Sequence, residues 1–115
     1  MTIYALSSGS GVSGIAVIRI SGKNTSSLLK LITKDGIPKP RVATLRKISN
    51  IKTSELIDEG IILWFPGPES YTGEDMAEIH VHGGKAVVQS MLDNLSTLKD
   101  CRLAEPGEFT KLAFQ

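Results

Sequence analysis

The hydrophobic positions of the chain follow two periods, one typical of strands and one typical of helices. Short apolar runs at residues 3–6 and 15–20 predict two β-strands. The second run, IAVIRI, is apolar at almost every position, which favours a place at the centre of a sheet. Further strands are predicted at 43–48, 61–65, 76–81 and 102–104, with a possible hairpin turn at 50–54.

Three other segments repeat their apolar residues at helical spacing. The first helix begins at Asn24 or Thr25, either of which can act as its cap, and ends before residues 36–40. The longest helix covers about residues 85–99, with an apolar stripe formed by Val87, Val88, Met91, Leu92, Leu95 and Leu98. A third helix begins at 106–108 and runs to Gln115. Each helix therefore has one face suited to packing on a sheet.

The order of these elements predicts the fold class. Strands and helices are interleaved without strict βαβ alternation, so we expect an α+β fold with a mixed, mostly antiparallel sheet packed by about three helices. With 115 residues, the chain has room for one domain and a genuine core.

Composition narrows the function classes. Thirteen basic and twelve acidic residues give a formal charge of +1, which provides no general attraction for a polyanion such as RNA. The single Cys101 cannot form an internal disulfide, which suits a reducing compartment, and is interpreted as a small residue that is buried or half-buried. Because no apolar run approaches the roughly 20 residues of a membrane-spanning helix, the predicted location is cytoplasmic, away from membranes.

Several motifs imitate known sites without completing them. Residues 9–14 fit GxGxxG but precede a strand, whereas a dinucleotide-binding loop opens a helix. The Gly22-Lys23 pair lacks the first glycine and the final Ser or Thr of a P-loop. His80 and His82 provide two ligands where zinc needs three or four, and a triad of Ser7, His82 and Asp75 would be a coincidence in a serine-rich chain. We therefore predict no metal site and no catalytic residues.

Two charged residues stand inside apolar strands. Arg19 interrupts IAVIRI, and Glu78 shares one face of the strand at 76–81 with His80 and His82, because successive side chains alternate. Desolvating a charge is costly unless a partner is present. Either the two residues pair with one another, or Glu78 accepts two parallel hydrogen bonds from a planar heterocycle while Arg19 binds a ligand carboxylate or carbonyl. The residues alone leave both explanations open.

Three segments are informative in combination: GIAVIRISG at 14–22, DEGIILWFPGPESYTGEDMAEIHVHGG at 58–84 and RLAEPGEFTKLAF at 102–114. Together they resemble the N-terminal domain of the tRNA-modification GTPase family TrmE/MnmE. The resemblance covers nearly the whole chain, and FPGPESYTGED followed by HGG and EPGEFT is a specific combination. Two positions depart from the usual pattern: Ser7-Ser8-Gly9 stands for Ala-Thr-Pro, and Leu112 for Arg.

The resemblance implies the following function. The full protein acts with the flavoprotein GidA (MnmG) to modify C5 of the wobble uridine (U34) of certain tRNAs. Residues 1–115 correspond to its N-terminal folate-binding and dimerisation domain, similar in fold to the tetrahydrofolate-binding domains of glycine-cleavage T-protein relatives. This domain forms a homodimer and binds 5-formyltetrahydrofolate as the one-carbon source.

The resemblance also implies a set of site residues. The family's folate contacts fall on Arg19 and Glu78, and Gly11, Gly14 and His82 are expected in supporting positions. A third contact, a lysine, would lie beyond Gln115. The helical domain, the C-terminal cysteine motif and the GTPase domain with GTP, Mg and K would also follow residue 115, so Cys101 does not take that cysteine's role. Residues 1–115 alone are then not expected to be catalytic.

Two alternatives remain beside the folate interpretation. The domain could be a ligand-free dimerisation module with Trp64, Phe65 and Tyr71 as interface anchors. It could also be an independent folate-dependent one-carbon transferase, although 115 residues leave little room for a second substrate.

Overall fold

The computed structural model describes residues 1–7 and 14–115. In this part of the chain, strands and helices are interleaved as the sequence predicts. The elements in order are β1 Thr2–Leu6, β2 Ile15–Ser21, α1 Thr25–Ile32, β3 Thr44–Ser49, β4 Leu56–Phe65, β5 Met76–His82, α2 Lys85–Ser96, β6 Cys101–Leu103 and α3 Glu108–Ala113.

The strands form one sheet in the order β3-β4-β5-β2-β1-β6. Neighbouring strands are antiparallel except β1 and β6, which are parallel. The sheet is therefore mixed and mostly antiparallel, and the predicted α+β class is confirmed. The predicted central position of the IAVIRI strand is also confirmed, because β2 lies between β5 and β1.

One face of the sheet forms the hydrophobic core. The helices α1 and α2 contribute their apolar stripes to it, and alternate residues of the strands complete it. The buried cluster consists of Tyr4, Ala16, Ile18, Ile20, Leu28, Leu29, Ile32, Ile48, Ile62, Ala77, Ile79, Val81, Met91 and Leu95. Removing these apolar surfaces from water is the main driving force that holds the helices on the sheet.

The opposite face of the sheet carries the remaining alternate residues, and we call it the open face. Its two central rows run across the strands: Leu45, Ile61, His80 and Val17 form one row, and Leu63, Glu78, Arg19 and Ala5 form the other. Their side chains are all partly or largely exposed. The alternation that buries Ile18 and Ile79 thus places Arg19 and Glu78 on the accessible side.

The hairpin of β3 and β4 differs from the prediction. β4 begins at Leu56, five residues before the predicted start, because the polar segment Asp58-Glu59-Gly60 pairs with β3. Lys47 stands opposite Glu59 in this ladder, so a cross-strand pair of opposite charges accompanies the extension. The polar residues that suggested a loop are therefore part of the strand.

Two asparagines hold the hairpin turn, Asn50 from within the turn and Asn94 from the helical layer. The Asn50 Oδ1 accepts hydrogen bonds from the backbone N–H groups of Lys52 and Thr53. The buried Asn94 of α2 accepts the Ile51 N–H at 2.9 Å and donates to the Ser49 carbonyl at 3.0 Å. The predicted turn at 50–54 is confirmed, and α2 holds it in place.

The last elements are joined by an ion pair. Arg102 of β6 donates from both Nη nitrogens to the two carboxylate oxygens of Glu108 in α3. These hydrogen bonds, together with one from the Glu105 N–H, lower the pKa of Glu108 to about 2.

Within the described ranges, no helix is both long enough and apolar enough to cross a membrane.

Candidate functional site

The site begins with a cross-strand pair at the centre of the open face. β2 and β5 run antiparallel in a register that sets Arg19 directly opposite Glu78. A single hydrogen bond joins the two side chains, from Arg19 Nε to Glu78 Oε2 at 3.2 Å. Their side chains are 38% and 20% exposed. The pair is therefore in contact through one donor and not through the parallel two-point geometry that arginine and carboxylate can form.

A hollow lies directly beside this pair. Its volume is about 390 Å³, and it is lined by Arg19, Phe65, Tyr71, Met76 and Glu78. The Arg19 Cζ atom lies 5.9 Å from the centroid of the Tyr71 ring, within the range of a cation–π contact. The hollow thus combines a carboxylate, a guanidinium and two aromatic rings, which suits a flat polar molecule.

The loop between β4 and β5 brings Tyr71 to this place. The Gly67 N–H donates to Asp75 Oδ1 at 2.8 Å, and the Thr72 hydroxyl lies 2.8 Å from the Ser21 hydroxyl of β2. A side chain at Gly67 would approach the Gly73 carbonyl oxygen to 2.8 Å, so the two arms of the loop are closely packed. The loop is fixed to itself and to the strand that carries Arg19.

The second oxygen of Glu78 contacts a histidine. His80 Nε2 lies 3.1 Å from Glu78 Oε1, while Arg19 binds Oε2. His80 is partly exposed and follows Glu78 by two residues on the same strand, so both side chains lie on the open face. Both carboxylate oxygens are therefore held by neighbouring residues, each on a different side.

His82 has other partners. Its Nδ1 lies 2.9 Å and 3.0 Å from the two Asp58 carboxylate oxygens, and its backbone N–H donates to the same carboxylate. Burial alone would raise the pKa of Asp58, but the hydrogen bonds from His82 and Glu59 outweigh it and lower the pKa. His82 lines a separate hollow of about 190 Å³ together with Ile15, Leu45, Ile61 and His80. The structure therefore does not bring His82 to the Arg19–Glu78 hollow.

Gly14, one of the two glycines predicted in supporting positions, immediately precedes β2. Gly11 is outside the described residues. The Gly14 carbonyl accepts a hydrogen bond from the Gly83 N–H at 3.2 Å, which ties the start of β2 to the end of β5. Gly14 does not line the Arg19–Glu78 hollow either.

Other candidate residues take structural positions. Ser7 donates to the Val17 carbonyl and Asp75 accepts from Gly67, so these two are not joined to His82 as a triad. Trp64 packs against the hydrophobic core. Cys101 is half-buried, and burial is the main cause that raises the pKa of its thiol. Residues 1–7 and 14–115 contain no group of three or more potential metal ligands.

Sequence reasoning located the charged pair but not the contribution of His80. The period of two placed His80 and His82 equally on the face of Glu78. Only the spacing from Glu78 distinguishes them, since His80 is the nearer residue on that face. The hollow itself depends on Tyr71, which enters from a loop whose path has no periodic signal.

These observations define a single-sheet α+β domain with a charged pair and a hollow on its open face. Residues 2–115 match the family model described as GTP-binding protein TrmE N-terminus. The chain therefore belongs to the TrmE N-terminal family, and the resemblance found in the sequence is confirmed.

Bacterial and animal relatives agree with this assignment. The chain is 69% identical over 115 residues to the tRNA modification GTPase MnmE of Pelagibacter ubique, covering 100% of the chain and 26% of that relative. It is 51% identical to the mitochondrial 5-taurinomethyluridine-[tRNA] synthase subunit GTPB3 of Danio rerio, covering 98% of the chain and 22% of the relative. The human protein of the same description is 50% identical, with 98% and 23% covered. The chain thus spans about a quarter of the length of these relatives.

Proposed function

We propose that this domain binds 5-formyltetrahydrofolate in the hollow beside Arg19 and Glu78. The observation that carries the proposal is the one-point contact of this pair next to a hollow of about 390 Å³. If Arg19 and Glu78 served only to neutralise each other, a bidentate ion pair with no adjacent cavity would be the most stable arrangement. Volumes of this size are typical of small-molecule sites.

The chemistry of the lining residues fits a pterin. The ring of a tetrahydrofolate presents two adjacent N–H donors, on N3 and on the 2-amino group, and a carboxylate can accept both in parallel. Glu78 supplies that carboxylate at the wall of the hollow. Arg19 would bind the ring carbonyl or a carboxylate of the glutamate tail, while Tyr71 and Phe65 supply aromatic surface for the ligand rings.

Calorimetric titration of the protein with 5-formyltetrahydrofolate tests this proposal. We expect saturable heat with one ligand per chain. The comparison ligand is p-aminobenzoyl-glutamate, the part of folate that lacks the pterin ring. It should bind far more weakly, because it has no pair of adjacent N–H donors for Glu78. At about 1 mM 5-formyltetrahydrofolate, even a binding free energy of about −4 kcal/mol would produce measurable heat. If no heat is observed at this concentration, the folate proposal is wrong.

We also propose that the open face forms a homodimer interface. Ile15 is 59% exposed and Leu45 is 56% exposed, and both border the smaller hollow of about 190 Å³ with Ile61. Apolar side chains collected on one accessible surface favour association with another protein surface. A second copy of the chain would cover the row of the open face that contains Leu45, Ile61 and His80. Because His80 contacts Glu78, the second copy would then lie beside the folate site.

The substitution Leu45→Glu tests the dimer. A charge in the centre of an apolar interface loses its hydration, so we expect sedimentation equilibrium to find a monomer where the unchanged protein is a dimer. Leu31→Glu is the matched control, because Leu31 is 51% exposed but lies on α1, in the helical layer. If Leu45→Glu and Leu31→Glu both leave the dimer intact, the open face is not the interface.

For the full-length protein we propose a role in tRNA modification. The relatives in Pelagibacter ubique and Danio rerio are described as a tRNA modification GTPase and a taurinomethyluridine-[tRNA] synthase subunit, which supports this role. The bound folate would donate a one-carbon unit for C5 of the wobble uridine, with the flavoprotein GidA (MnmG) as partner. In this role the domain positions the donor in the cytoplasm, and GTP hydrolysis with Mg and K belongs to another domain.

The same two experiments, together with an assay for one-carbon transfer, separate the alternatives. A dimer without folate binding would favour the ligand-free interaction module, although the packing of Trp64 against the core does not favour this residue as an anchor. Folate binding together with transfer of the one-carbon unit by this domain alone would favour an independent transferase. The five residues that line the hollow provide hydrogen-bonding groups and aromatic surface for one ligand, so we favour binding without transfer.

A further inference from the structure

We propose that His80 is a positioning residue that orients the Glu78 carboxylate for its ligand. This inference rests on the proposed folate site and adds to it a residue outside the wall of the hollow. His80 Nε2 lies 3.1 Å from Glu78 Oε1, and Arg19 Nε lies 3.2 Å from Oε2. Because the two donors stand on different oxygens, together they fix the plane of the carboxylate.

The fixed plane matters because each carboxylate oxygen has two lone pairs. His80 and Arg19 each occupy one of them, which leaves one on each oxygen for two parallel N–H donors of a guest. A carboxylate free to rotate would lose conformational entropy when such a guest binds, whereas one already held does not. His80 thus acts through Glu78, and it does not line the hollow itself.

The contact also predicts which nitrogen of a neutral imidazole ring carries hydrogen. An ionised carboxylate can only accept, so we expect hydrogen on the Nε2 atom that faces it. The other ring nitrogen is then free of hydrogen when the imidazole is neutral. If His80 only filled space between Ile61 and Val17, either ring nitrogen could carry the hydrogen.

Two substitutions separate the hydrogen bond from packing. His80→Phe keeps a ring in the row but removes the donor, and we expect folate affinity to fall about tenfold, by analogy with residues that orient metal ligands through a hydrogen bond. His80→Gln places an amide N–H near the position of Nε2, so we expect affinity within about threefold of the unchanged protein. Calorimetry on the three proteins measures both effects.

A nitrogen-15 spectrum of the ligand-free protein gives a second, independent readout. Long-range proton–nitrogen couplings should place the hydrogen of neutral His80 on Nε2, and Glu78→Gln should weaken this preference. Equal folate affinity of His80→Phe and the unchanged protein, or hydrogen on Nδ1, would overturn the role of His80 while leaving the folate site intact. If the unchanged protein binds no folate, the proposed function fails first and this inference falls with it.

Discussion

Glu78→Gln is expected to lower the affinity for 5-formyltetrahydrofolate at least about 100-fold, equivalent to about 2.8 kcal/mol. The substitution keeps the size of the side chain but replaces one acceptor oxygen by an NH₂ group, which would face a ligand N–H donor. It also removes the negative charge that strengthens both hydrogen bonds. Calorimetric titration measures the change directly, and the loss should appear in the dissociation constant without a change in the number of sites.

Stability and a matched variant serve as controls for this prediction. Glu78 is partly exposed and Arg19 is more so, hence the unpaired Arg19 can be hydrated and the thermal unfolding midpoint should move little. Glu74→Gln makes the same chemical change at an exposed position of the nearby loop that does not line the hollow. Equal affinities of Glu78→Gln and Glu74→Gln would mean that the pterin edge does not contact Glu78.

Gly60→Ala is expected to destabilise the domain by about 3 kcal/mol. A Cβ atom at residue 60 would lie 2.1 Å from the backbone oxygen of His80 and 3.2 Å from its carbonyl carbon. The obstacle is backbone of the neighbouring strand, so it can give way only if β4 and β5 separate. Thermal unfolding measures the loss, which should lower the midpoint by more than about 10 °C.

The control for Gly60→Ala is the same substitution at Gly84. Gly84 precedes α2, has extended backbone angles, and has no atom within 4 Å of an added Cβ. Gly84 is the N-cap of α2, where alanine is less favourable than glycine, so Gly84→Ala should cost no more than about 1 kcal/mol. A Gly60→Ala protein as stable as Gly84→Ala would contradict the close pairing of β4 with β5. Because that pairing sets Leu63 beside Glu78, we also expect weaker folate binding in Gly60→Ala.

The part of the fold that was predictable follows the local hydrophobic period. β5 was located because apolar and polar residues alternate along it, and β2 because its short run is apolar at almost every position. The alternation placed Glu78 on one face with His80 and His82, whereas the shared face of Arg19 and Glu78 follows from the observed pairing of β2 with β5. The core stripe of α2 was likewise visible in the sequence, although the helix ends at Ser96 and not near residue 99. The hydrophobic period of a strand or helix is contained in its own sequence, so it can be recognised without knowing which other segments pack against it.

The parts that were not predictable depend on partners distant in sequence. β4 begins as early as Leu56 because its first residues pair with β3. The polar sequence Asp58-Glu59-Gly60 gives no local signal that it belongs to a strand. The parallel pairing of β1 with β6 joins the two ends of the chain. The choice of His80 over His82 as the neighbour of Glu78 required distances, since Asp58 holds His82 elsewhere.

A crystal structure of the protein with bound 5-formyltetrahydrofolate tests the central claim most directly. We predict the pterin in the hollow beside Tyr71, with its N3 and 2-amino nitrogens each about 2.9 Å from a Glu78 oxygen and with His80 still bonded to Oε1. Density for the folate at another surface, with the Arg19–Glu78 hollow filled only by solvent, would contradict the account.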